Sequence, residues 1–284
     1  MFFLIDKPIG ISSFDVIRSL RKTLQIRKMG HSGTLDPLAS GCLLIATENS
    51  TKLLPLLEKS KKEYIFTVRL DGKSESLDYG TPIMPVDTSK ICLKTKDEVR
   101  DFLLSQKRQL PPLYSALHID GERAYDLARK WKNFTLPERP IEVFDVEILE
   151  MENVYISIRI ILSSGGYVRS FAPVIGKFFG IDSGYVTFLQ RTKIYTEYWV
   201  LDIQDASSIE DPIALGYETL FWSIASFNLS DSDYEDIRLG KNLDFSWKNS
   251  PIPDSLIFLK NKDQNYTSLC TIRDSIVTIV RNNV

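Results

Sequence analysis

The apolar positions of this chain change period several times along its length, and each change predicts an element. FFLI, at 2–5, is an unbroken apolar run of strand length, and DKPIGISS after it is a loop broken by Pro8 and Gly10. Phe14, Ile17, Leu20 and Leu24 then recur at helical spacing with Arg18, Arg21 and Lys22 on the outside, and Ser12 or Ser13 stands where a helix cap belongs. CLLIAT predicts a second buried strand and TKLLPLLEKS a short helix. In YIFTVRL the period drops to two, with Tyr64, Phe66, Val68 and Leu70 on one face, which is strand alternation. KDEVRDFLLSQK and ERAYDLARKW read as helices, and QLPPLYSALHIDG as a loop with strand character. IEVFDVEIL and VYISIRIIL are strong strands, and SSGGYVRS turns from the second of them into a helix reaching Phe179.

Strands outnumber helices, hairpin-like neighbours dominate, and no regular βαβ alternation appears. The expected fold class is therefore α+β, with a mixed, largely antiparallel sheet and flanking helices and loops. Around Leu201 to Pro212 the chain turns polar and acidic, and the closing runs SLIFLK, YTSLCTI and SIVTIV suit a small β-rich module. A boundary near 224–228 divides the chain into a main domain over 1–225 and a module over 226–284.

Composition narrows the classes. With 284 residues, 43% of them hydrophobic, the chain can bury a large core. The cysteines, Cys42, Cys92 and Cys270, are odd in number and far apart, which argues against a disulfide framework or a zinc site and for a reducing cytoplasm. MFFLI is followed at once by Asp6 and Lys7, unlike a secretory leader, and no run approaches the ~20 apolar residues of a membrane span. The net charge of −2 hides an asymmetry: residues 1–65 carry +4 and residues 200–284 carry −6. A basic front suits a polyanionic partner, although ordinary surface charge accounts for it equally well.

The densest candidate chemistry lies in GHSGTLDPLASG, at 30–41, where three glycines, a proline and a histidine surround one carboxylate, Asp36. An aspartate ionised at neutral pH serves as nucleophile, base or metal ligand, and glycines let a ligand approach the backbone closely. Asp before Pro is equally a common turn starter. His31, flanked by glycine, is expected to be exposed and able to stack or move a proton. No phosphate-cradling GxxxxGK[ST] is present, and with His118 as the only other histidine no metal cluster is expected.

Taken with four other segments, this loop resembles the catalytic motif of the tRNA pseudouridine-55 synthases of the TruB type. LIDKPIGISSFDVI is similar to the family's opening DKPxGxSS, KKEYIFTVRLDG to its K-x-Y strand, and QLPPLYSALHIDGERAYDLAR to its PPxYSAxKxxGxRxYxxAR stretch. SSGGYVRSFAPVIGKFFG resembles its CxxGTYIRSLxxDLGxxLG segment. The matches run in the family's order from residue 1 to about 195.

The resemblance implies isomerisation of one uridine in the tRNA T-arm, with no cofactor and no metal. The base is flipped into a pocket, which takes a few kcal/mol of unstacking. It implies Asp36 as nucleophile, Tyr64 as the tyrosine stacking on the base and a candidate for the C5 proton, and Arg169 as the arginine that holds the carboxylate. It also implies RNA contacts from His31, Lys7, Tyr167 and Leu189, a PUA-like RNA-binding module at the C-terminus, and a monomer. Whether the aspartate attacks the ribose C1′ or the base C6 stays open. The chain departs from the family at His118, where lysine is usual, and at Ser163, Gly166, Val174 and Glu48. A non-catalytic tRNA-binding protein on the same scaffold and a synthase acting on another RNA are the rival readings.

Overall fold

Alternating apolar positions pair into one large sheet in the computed structural model, which describes residues 1–58, 60–115, 118–119, 122–123, 136–196, 200–216, 220, 225–239, 241, 243–244, 256–260, 266–273 and 276–282. The first strand, β1 (Phe2–Lys7), leads into helix α1 (Ser13–Leu24), then β2 (Met29–His31) and β3 (Ser40–Thr47). A 3-10 turn and the five-residue α2 (Leu54–Glu58) precede β4 (Lys61–Arg69). After α3 (Lys96–Leu104) come β5 (Val143–Glu152), β6 (Tyr155–Leu162), α4 (Phe171–Phe178), β7 (Tyr185–Tyr195), β8 (Val200–Asp202) and β9 (Ala214–Leu215).

The sheet runs β5-β6-β4-β7-β3-β1-β9, with β8 on β7 and β2 on β3. Its pairings are antiparallel except one: β7 and β3 run parallel, with Gln190 opposite Ser40 and Arg191 opposite Gly41. The fold is thus α+β with a mixed, largely antiparallel sheet. One expectation differs: ERAYDLARKW starts as strand at Glu122–Arg123, paired with His118–Ile119, and its remainder lies outside the described residues. The 11-residue β7, at the centre of the sheet, has no counterpart among the elements that the hydrophobic pattern predicts.

Strand alternation sorts the side chains onto two faces. On one, Phe3, Ile5, Leu43, Ile45, Phe66, Val68 and Ile158 form the main core with Val16, Ile17 and Leu20 of α1, Val99 and Leu103 of α3, and Phe171 and Ile175 of α4. Phe2, Leu4, Cys42, Leu44 and Ala46 face the other way, against Leu53, Leu54 and Leu57. Helix α1 begins where the spacing predicts because Ser12 and Asp15 form a reciprocal capping box.

From residue 225 onward the described strands form a second sheet. Strand β10 (Ala225–Asn228) precedes α5 (Asp231–Arg238), β11 (Leu243–Asp244), β12 (Leu256–Lys260), β13 (Tyr266–Arg273) and β14 (Ile276–Asn282), and the sheet order is β10-β12-β13-β14-β11. Phe258 of β12, 1% exposed, joins the second core cluster beside Leu4 and Leu44, so this sheet sits behind the large one.

Candidate active site

The loop between β2 and β3 is tied down from three directions. Ser13 Oγ, in the first turn of α1, accepts from the Leu35 N–H (2.8 Å) and donates to the Leu35 carbonyl (3.1 Å). The Gly10 N–H donates to the Pro37 carbonyl at 2.7 Å, so the DKPIG loop braces the other flank of Asp36. From β7, Arg191 donates through Nε to the Cys42 carbonyl (2.7 Å) and through Nη2 to the Gly33 carbonyl (3.1 Å). Gly33 takes φ +133°, a region that glycine enters at little cost.

This frame presents Asp36 to Arg169, which leaves β6 through SSGGYVRS and lies on a 3-10 turn ahead of α4. Arg169 Nη2 donates to Asp36 Oδ1 at 2.9 Å, and Nε sits 2.8 Å from Oδ2 in ion-pair contact, without the alignment of a hydrogen bond. The guanidinium is itself fixed: Nη1 donates to the Ser76 carbonyl and Nη2 to the Tyr114 carbonyl, both at 2.8 Å. Arg169 is 4% exposed while the Asp36 side chain is 31% exposed, so the pair offers its carboxylate, not its cation, to incoming molecules.

Behind Arg169 stands a second carboxylate, Asp78, with Oδ2 at 3.6 Å from Nη1. Its Oδ1 accepts from the Ser76 hydroxyl and from the Gly80 N–H at 2.9 Å. Sequence reasoning missed Asp78, since nothing in SLDYG links it to an arginine 91 positions on. It also missed Gln109, whose amide donates to the Tyr167 carbonyl and accepts from the Tyr167 N–H, both at 2.7 Å.

A cavity of about 280 Å³ opens over Asp36, lined by Gly33, Thr34, Lys62, Tyr64, Ser163 to Val168, Leu189 and Arg191. Tyr64 on β4 lies opposite Arg191 on β7, and Leu189 lies opposite Phe66. Asp36, Tyr64, Tyr167, Leu189 and Arg191 therefore share one wall system, and Arg169 lines a smaller cleft that shares Asp36 and Leu189 with the cavity. Burial pushes the Tyr167 phenol above its ordinary range. Arg191 is another residue the sequence reading passed over; its signal is a charge at the strand position two after Leu189.

Two candidates line neither the cavity nor the smaller cleft. Lys7 is fully buried and donates to the Pro8 and Ile11 carbonyls at 2.9 and 2.7 Å. Burial lowers its ammonium to about 8, against the opposing field of Asp36, which marks it as a neighbour of the carboxylate. His31 is half-buried at the end of β2, not exposed as its glycine neighbours suggest. Burial, then the charge of Arg191, pulls its pKa down; Nδ1 faces the Gly33 N–H at 3.3 Å, so the imidazole is neutral with its proton on Nε2. The His118 side chain lies outside the described residues, and among the described residues no cluster of metal-binding side chains occurs.

The family model described as "TruB family pseudouridylate synthase (N terminal domain)" matches residues 21–168. The chain is similar to the tRNA pseudouridine synthase B of Campylobacter curvus (strain 525.92), 40% identical over 184 residues, which are 63% of this chain and 66% of that one. It is also similar to that of Clostridium kluyveri, 40% identical over 61% of this chain and 60% of that one, and to that of Mycobacterium tuberculosis (strain ATCC 25618 / H37Rv), 35% identical over 73% and 70%. The match thus spans less than two thirds of the Campylobacter and Clostridium proteins. Among solved structures, a Cbf5-Nop10-Gar1 complex (TM-score 0.64, 18% identity) contains a chain of which 83% is covered. An H/ACA RNP bound to a substrate RNA containing 2'-deoxyuridine (TM-score 0.63, 17% identity) contains one of which 84% is covered. Both likenesses take in the whole of this chain and are likenesses of fold.

Proposed function

This chain belongs to the TruB family of pseudouridylate synthases, and from that premise we propose that it converts the uridine at position 55, in the T-loop of tRNA, to pseudouridine. The observation that carries the reading is the Asp36–Arg169 pair beneath a cavity walled by Tyr64 and Leu189. Asp36 is the nucleophile and Arg169, locked by two backbone carbonyls, keeps it aimed. A carboxylate oxygen adds to the ribose C1′ or the base C6 of a flipped nucleotide. The N1–C1′ bond breaks, the uracil turns, C5 bonds to C1′, the bond to the carboxylate oxygen breaks and frees Asp36, the C5 proton leaves and N1 gains one. Product and substrate are isomers, so no electron donor or energy source enters.

Tyr64 stacks on the flipped uracil and is the candidate to take the C5 proton; base–aromatic stacking, worth ~1–3 kcal/mol, offsets part of the unstacking. Leu189 and Tyr167 pack the base, Lys7 adds positive field below Asp36, and His31 fills the space that the base leaves in the RNA. Residues 1–225 act as the catalytic domain and 226–284 as a PUA-like RNA-binding module. The protein works as a monomer in the cytoplasm; no helix among the described residues is long and apolar enough to cross a membrane.

The test is pseudouridine mapping on an unmodified tRNA transcript, comparing the protein with Asp36→Asn. T-loop modification that falls at least ~10⁴-fold in the variant, with tRNA binding retained, is expected for loss of a nucleophile. Binding without pseudouridine from either protein overturns the reading in favour of a non-catalytic tRNA-binding protein, and modification elsewhere overturns the substrate.

A further inference from the structure

The active-site loop uses only the buried face of α1; its solvent face is a separate feature. Phe14, Arg18, Arg21, Lys22 and Gln25 recur at three- and four-residue steps and form one stripe along a 12-residue helix, about 18 Å long. Arg27 and Lys28, both exposed, continue it into the turn before β2. Residues 13–28 hold five basic side chains and one acidic one, Asp15, in a chain whose net charge is −2.

Arg18 pairs with Asp15, whereas Arg21, Lys22, Arg27 and Lys28 make no ion pair among the described residues. Phe14 is 54% exposed, and the guanidinium carbons of Arg18 and Arg21 sit 5.5 and 5.8 Å from its ring centroid. The Nε of Arg21 is covered and has no hydrogen-bond partner. An exposed ring that holds two arginines in place reduces the freedom they lose on meeting an anion. The stripe starts one residue from Ser13, which grips Leu35 beside Asp36, and α1 packs on the same sheet face as Tyr64.

We propose that the outer face of α1 and the turn after it are a docking ridge for the phosphodiester backbone of the RNA strand that delivers its nucleotide to the Asp36 cavity. The proposal rests on the reading of the substrate as RNA. A line of unpaired cations leading away from the cavity is complementary to a chain of phosphates, and it carries no sequence information. Phe14 organises the arginines and need not stack on a base.

The experiment compares the wild type with a variant carrying Arg21→Gln, Lys22→Gln, Arg27→Gln and Lys28→Gln, substitutions at solvent-facing positions outside the core. A second comparison carries Lys90→Gln and Lys96→Gln, exposed cations on another part of the surface. Binding of a tRNA transcript is measured against salt concentration, and pseudouridine formation against RNA concentration. Four phosphate contacts at roughly 0.7 each on a flexible strand predict a slope of log K against log salt shallower by about 3 in the ridge variant, and at least tenfold weaker binding at ~0.1 M salt. The loss in kcat/KM falls on KM, and the Lys90/Lys96 variant matches the wild type. A folded ridge variant with wild-type slope and KM overturns the proposal, as does an equal loss in the Lys90/Lys96 variant. If the wild type binds RNA with a ridge-dependent slope yet forms no pseudouridine, the ridge stands and the proposed activity falls.

Discussion

Single residues decide the chemistry of the cavity. Arg169 is held between two carboxylates, and only Asp36 lines the main cavity; Asp78 lines the smaller cleft beside it and acts through the arginine. Asp78→Asn leaves the guanidinium one anchor short. It is expected to lower kcat about 10²-fold with little change in KM, since a small misplacement of a catalytic group costs that much. Single-turnover and steady-state assays separate the two constants; a change confined to KM would contradict the positioning role. Lys7 makes a prediction in pH. It titrates at about 8 when folded against 10.5 when free, because burial outweighs the field of Asp36. Between those values the unfolded chain holds more protons, so stability rises with pH; below 8 the buried ammonium costs ~3 kcal/mol. Denaturant unfolding of the wild type and Lys7→Met should therefore show the wild type gaining about 2–3 kcal/mol on the variant between pH 7 and 10. A constant difference would mean that burial does not lower the Lys7 ammonium in the fold.

Among elements, the legible ones bury a clean apolar stripe. Helix α1 and strands β1, β3 and β4 lie where periodicity places them, since their inward positions are Phe, Ile, Leu and Val. Strand β7 was illegible for the opposite reason: YVTFLQRTKIY puts Arg191 and Thr192 in buried positions that face the cavity and the Glu63 carboxylate, so buried polar contacts interrupt its hydrophobic period. The parallel joint of β7 with β3 is where the two site strands meet, and Gly41 makes it possible. Its φ is +106°, and a Cβ there would lie 2.2 Å from the Arg191 carbonyl oxygen. Gly41→Ala is expected to cost about 2–4 kcal/mol through strain and displacement of β7, and to lower activity beyond what the lost stability explains. Thermal unfolding with an assay well below the midpoint checks both; an unshifted midpoint would refute it.

At the scale of the whole molecule, the large sheet keeps its two faces apart in function. The cavity and α1 share one face, and the C-terminal sheet is anchored on the other through Phe258. Phe258→Ala removes a buried ring from the second core cluster. It is expected to destabilise the chain by roughly 3–5 kcal/mol while leaving the Asp36 cavity, on the other face, able to turn over RNA below the melting temperature. Calorimetry and a low-temperature pseudouridine assay test this together, and loss of activity without loss of stability would refute the separation.

The sequence by itself determined the α+β class, most of the strands, the capped first helix and the order of five motifs, because period and capping are local properties of neighbouring residues. Within those motifs it also singled out Asp36, Tyr64 and Arg169. What only the tertiary structure decided is which residues meet. Asp36 and Arg169 lie 133 positions apart, Asp78 comes in from a polar loop, and Arg191 reaches Gly33 across a parallel joint. Such contacts arise from the sheet's strand order, which no local pattern encodes, and the cavity exists only where that order brings β4, β7 and the Asp36 loop side by side.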